Sequence, residues 1–148
     1  GRRIVPVPDI EPSVLVAGLA ASRDSRLRAA LVPLFLWRPD FATGAAVASE
    51  RLTEPALTTL MCFYSAAVAL QELLAERIAW MDRDGSPLRD LFAVALCLPR
   101  SAGAEARIEA VAQRHAQRSG EDINWLGSYR KAASDFLRLS ELELSCPP

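Results

Sequence analysis

Residues 53–80, TEPALTTLMCFYSAAVALQELLAERIAW, decide the fold. Thr53 can cap a helix, Pro55 suits its first turn, and Leu57, Leu60, Met61, Tyr64, Val68 and Leu74 recur at helical spacing. Continued to Trp80, such a helix would reach about 40 Å at 1.5 Å per residue. Its first half is apolar nearly all round, broken only by a thin stripe of Thr58, Ser65, Glu72 and Glu76. A helix with so little polar surface must be covered by others, so this segment is expected to be the central helix of an all-α domain.

The composition agrees. Of 148 residues, 25 are alanine and 21 leucine, which lose little rotamer freedom in a helix, against five isoleucines and nine valines that would favour strands. A chain this long buries roughly 70% of its unfolded surface as one domain, enough for a core without staples. The expected architecture is a compact bundle of about six or seven helices. An extended arm (1–11) would precede a single helical domain (12–144) and a short tail (145–148).

Outward from the central segment, Pro6 and Pro8 alternate with Val5 and Val7 in the arm, and Pro12 suits a helix start. A helix to about Ala21, a turn with an N-cap at Ser22 to Asp24, and a helix from Ser25 to Trp37 read as a hairpin, with Pro33 kinking or interrupting its second arm. A short alanine-rich helix begins at Pro39 and is weakened by Gly44. On the other side, Ser86 and Pro87 set a helix through about Leu98, stopped by Pro99. Ser101 is then expected to cap a helix that carries Ile108, Val111, Ala112 and Ala116 and ends at Gly120, and a last helix follows Asn124.

The chemical inventory is sparse. His115 is the one histidine, and Cys62, Cys97 and Cys146 show no paired spacing, which argues against a disulfide framework and a zinc site and suits a reducing cytoplasm. The thiols read as inert core fillers. No catalytic residue, metal or cofactor is expected. His115, on the apolar face with Ile108 and Val111, reads as a structural histidine, with no local nucleophile motif beside it. Asp82, Asp84 and Gly85 resemble only the opening of a calcium loop and lack its twelfth-position glutamate. Glu72 and Glu76 have no Glu-x-x-His companion and are expected to pair with Arg77 or a neighbouring helix.

A net charge of −1 removes bulk attraction to nucleic acid, leaving only a local patch to provide it. The best such patch is Arg23, Arg26 and Arg28 at a helix start, where backbone N–H groups also favour anions. Sixteen arginines against one lysine read as the imprint of a GC-rich, bacterial coding genome. The apolar run from Leu60 to Leu70 is shorter than the roughly 20 residues of a bilayer crossing, so a cytoplasmic protein without membrane association is expected. Trp37, Arg38 and Phe41, and Trp125 with Tyr129, concentrate the residue types that dominate protein interfaces.

The first hairpin resembles a HEAT repeat, whose turn and second helix carry a D-x-x-V-R-x-x-A pattern. Asp24, Leu27 and Arg28 stand at those places, Leu27 replaces the valine, and Ala30 lies one position early. The resemblance covers this hairpin alone and implies a structural aspartate and arginine in a protein-binding scaffold. In size and class the chain is also similar to the HEPN ribonucleases, whose hallmark is an arginine four to six residues before a histidine. Arg107 stands too far before His115 and Arg114 too near, so the catalytic motif is missing. The function expected is therefore a noncatalytic protein-interaction or regulatory module, with another protein or a second copy of the chain as partner. The alternative is an RNA- or nucleotide-associated accessory protein, such as the partner of a nucleotidyltransferase, using the arginine patch.

Overall fold

A computed structural model of the chain describes residues 10–79 and 87–145. Every regular element among them is helical: α1 (Pro12–Ala20), α2 (Ser25–Ala29), α3 (Leu31–Trp37), a 3-10 turn (Pro39–Phe41), α4 (Ala42–Arg51), α5 (Ala56–Leu73), α6 (Ala75–Ile78), α7 (Ala104–Ser119) and α8 (Trp125–Ser145). The all-α bundle with a central helix is therefore what forms. The arm before Ile10, the Asp82–Gly85 turn, Trp80 and Cys146 lie outside the described residues.

Helix α5 is the hub, in contact with α1, α3, α4, α7 and α8. Its side chains Leu60, Cys62, Tyr64, Ala66 and Ala67 are fully buried, and even Thr58 and Ser65 of the polar stripe are covered. By length and apolarity α5 passes for a membrane-crossing helix, but 67% of it is buried inside the fold, where the surrounding helices supply its apolar environment. It is shorter than its sequence suggests. The run to Trp80 breaks at Leu74, so α5 is about 27 Å long and a single turn, α6, follows. Thr53 does not cap it with its side chain. The Glu54 carboxylate accepts from the Thr58 N–H (3.3 Å) and hydroxyl (2.5 Å) instead.

Pro33 acts at a distance of one turn. Its ring would collide with the Ala29 carbonyl four residues back, and the helix is interrupted just after it, at Ala30, leaving Pro33 in the first turn of α3. Asp24 caps α2 by accepting from the Arg26 N–H at 2.9 Å, and Arg28 Nη1 donates to the Ser22 carbonyl at 2.9 Å, closing the turn behind α1. Beyond that turn α1 packs chiefly on α4 rather than on α3.

The helix expected from Ser86 to Leu98 does not form among its described residues. Residues 87–98 make a strap across α5 in which Gln71 Oε1 takes the Leu88 N–H (2.7 Å) and the Tyr64 hydroxyl donates to the Arg89 carbonyl (2.6 Å). Side chains of α5 thus satisfy backbone groups that a helix would pair internally. One turn survives. It is closed by Leu98 N–H to Ala93 O and Cys97 N–H to Val94 O, the paired bonds of a Schellman ending, with Cys97 at φ 55 in the left-handed position. Cys97 is exposed rather than a core filler. Ser101 likewise does not cap α7, which begins after Gly103 without a side-chain cap, whereas Gly120 ends it at φ 71 as expected.

Candidate anion-binding site

The candidate site is a cleft of about 890 Å³ where four chain segments converge. These are the α1–α2 turn, the end of α4 with its loop into α5, the last turn of α7, and Trp125 at the start of α8. Four arginines line it, Arg23, Arg28, Arg51 and Arg118, against two glutamates, Glu54 and Glu121. The wall is thus net positive in a chain whose overall charge is −1.

Each arginine is held differently. Arg118 spends its guanidinium on Glu54 (3.0 Å) and the Thr58 hydroxyl (3.0 Å), which fixes the α7 end to the start of α5. Burial pushes the Glu54 carboxyl up, yet the hydrogen bonds from Thr58 and Arg118 outweigh it and hold Glu54 below its ordinary value. Arg28 is half-committed, since one nitrogen serves the Ser22 carbonyl. Arg23 and Arg51 are exposed and make no ion pair with any described residue. The cleft therefore carries two uncommitted forks, the geometry suited to carboxylate or phosphate oxygens.

Behind the arginines lies an aromatic floor. His115 is buried, stacks on Trp125 with ring centroids 3.5 Å apart and planes 12° from parallel, and meets the edge of Phe63. Its Nδ1 lies 2.6 Å from the Tyr129 hydroxyl. Burial, with the positive charge of Arg28 adding to it, lowers the His115 pKa to about 4, so the ring is neutral at pH 7. Burial also raises Tyr129, whose hydroxyl stays protonated. The assignment that satisfies both is Tyr129 donating to Nδ1, with the imidazole proton on Nε2. Nearby Cys62 is pushed up to about 12 by burial and is a thiol, not a thiolate.

The expected site residues are thus divided. Arg23 and Arg28 enter the cleft, while Arg26 faces a different groove between α2 and α8. Trp125 and Tyr129, expected at an interface, belong to the aromatic floor and are buried. Trp37 is 44% exposed, and Arg38, doubly bonded to Asp40 (2.9 and 2.8 Å), lies 4.7 Å from the centroid of Phe41, which is itself buried. Arg77 bridges to Glu141 of α8 rather than to Glu72 or Glu76. Arg51 and Arg118 were not singled out by sequence. Each sits in the last turn of its helix, where a cation reads as complementing the helix dipole, and nothing linear links them to Arg23.

Among the described residues no group of acidic, histidine or cysteine side chains is placed to hold a metal ion. Compared with known protein families, curated proteins and solved structures, the chain has no match in any of the three. The class it defines rests on fold and site: an all-α bundle with an arginine-lined cleft over a neutral, buried histidine.

Proposed function

We propose that this bundle is a noncatalytic binding module that captures an anionic group of a partner molecule in the arginine cleft, and so serves an interaction or regulatory role. The observation that carries the reading is the pair Arg23 and Arg51 at the cleft wall, two guanidinium groups without an acidic partner among the described residues. The chemistry beneath them supports binding over catalysis. His115 is engaged by Tyr129 and poorly basic, and Cys62 is protonated, so neither is set to act as base or nucleophile near neutral pH.

Calorimetric titration with inorganic pyrophosphate at low salt tests this. Binding at one site is expected, weakening as salt rises, and Arg23→Glu with Arg51→Glu should weaken it by about tenfold or more, the scale of a lost charge-assisted hydrogen bond. Absence of binding at low salt would remove the reading. An RNA or nucleotide ligand would draw on the same arginines, and Arg26→Ala separates the cases. Arg26 lies outside the cleft, so its loss should weaken a long polyanion while leaving pyrophosphate unaffected.

A second reading, protein docking at the Trp37–Phe41 corner, is supported by the exposure of Trp37 beside Arg38, which is bonded to Asp40. A partner or a second copy seated there would shift Trp37 emission to the blue, and Trp37→Ala would abolish the shift. Light scattering that shows only a monomer would exclude the second copy.

A further inference from the structure

A second concavity, of about 620 Å³, runs between α2–α3 and α8. Its lining is more apolar than that of the cleft, although Arg26, Lys131 and Asp135 also line it. Pro33, Phe63, Ala132, Phe136, Ile123 and Leu139 give it an apolar lining, and Ile123 and Leu139 remain 45% and 65% exposed. The two concavities abut, because Arg28 and Trp125 belong to the walls of both. The Trp125 indole N–H is buried with no acceptor among the described residues.

An arginine cleft adjoining a more apolar groove matches the charge and polarity pattern of one kind of small molecule. We propose that the cleft and groove together bind a single-chain amphiphile with a phosphate-bearing head, the head among Arg23, Arg28 and Arg51 and the alkyl chain along Phe136 and Leu139. This rests on the anion-binding reading of the cleft and specifies its ligand. Both volumes lie within the range of about 300–1,000 Å³ typical of small-molecule sites, which favours a small ligand over a folded partner. The ligand's charge would meet the unpaired guanidinium groups and its chain would cover the side chains that the fold leaves in water. Leu139 is the more exposed of the two named rim residues, so it is the natural gauge of chain contact.

The test is calorimetric binding of butyl, octyl and dodecyl phosphate, each below its aggregation concentration, with uncharged dodecyl glucoside as comparison. Affinity should climb with chain length, by up to about fourfold per fully buried methylene, and level off once the groove is filled. Arg23→Glu with Arg51→Glu should weaken the whole series, whereas Leu139→Asp should flatten the dependence on chain length and spare butyl phosphate. Both sets of changes fall on exposed side chains, so folding is retained and circular dichroism verifies it. Equal affinity for butyl and dodecyl phosphate would overturn the amphiphile while leaving the anion site standing. Binding of dodecyl glucoside as tight as that of dodecyl phosphate would overturn it as well, as adsorption to an apolar surface. Failure of every phosphate, pyrophosphate included, would remove both.

Discussion

His115 illustrates how burial converts a reactive side chain into a structural one. Its ring is covered, stacked on Trp125 and bonded to Tyr129, and protonating it would strand a charge beside Arg28 in low dielectric. Because the folded pKa is near 4 and the ordinary value is 6.5, the unfolded chain binds more protons between those pH values. The His115 contribution to stability is therefore fully present above pH 6.5 and is lost as the pH falls through this window, by up to about 3 kcal/mol. Glu54, held below its ordinary 4.5, adds a loss only at lower pH. His115→Gln, which keeps an amide to pair with Tyr129 but does not titrate, should flatten urea-unfolding stability between pH 6.5 and 4. An unchanged slope would place the acid sensitivity elsewhere. Tyr129→Phe should cost about 1–3 kcal/mol at pH 7 by leaving His115 Nδ1 unmatched, readable as a lower denaturation midpoint.

At the scale of elements, Gly44 and Cys97 show backbone geometry overruling local preference. In sequence Gly44 reads as a weak point in α4, but a Cβ there would lie 2.7 Å from the Pro12 Cβ and 2.9 Å from the α1 backbone. The glycine permits the close crossing of α1 over α4. Gly44→Ala should consequently destabilise the fold by about 1–3 kcal/mol in thermal unfolding, despite alanine's better helix propensity. A rise in Tm would refute the crossing's importance. Cys97 occupies a left-handed position that glycine adopts freely and a β-branched residue resists, so Cys97→Gly should preserve or raise Tm and Cys97→Val should lower it. These two positions mark where the sequence was not legible, whereas other features could be read from it. The α5 hub, the interruption caused by Pro33, the Asp24 cap and the Gly120 stop follow from periodicity and local turn chemistry. The 87–98 strap does not, because Leu88, Phe92 and Leu96 keep helical spacing while Gln71 and Tyr64, distant in sequence, capture its backbone. The cleft was half legible for a similar reason. Arg23 and Arg28 are neighbours in sequence, but Arg51 and Arg118 join them only when α4 and α7 end at the same place.

For the molecule as a whole, the arrangement separates a rigid apolar interior from a positively lined cleft, in a chain that is otherwise nearly neutral. That separation gives anion binding a definite place rather than a diffuse surface, and it limits long-range steering, since a net charge of −1 does not attract polyanions at a distance. Association should depend on salt through short-range contacts within the cleft, at separations of about one Debye length or less. The most direct measurement is a titration of pyrophosphate followed residue by residue through backbone amide shifts in NMR. Shifts should concentrate in residues 20–28, 51–59 and 115–125, saturate together, and vanish in the Arg23→Glu, Arg51→Glu protein. Shifts centred on Arg130 and Lys131 of α8, or none at low salt, would contradict the assignment of this cleft as the binding site.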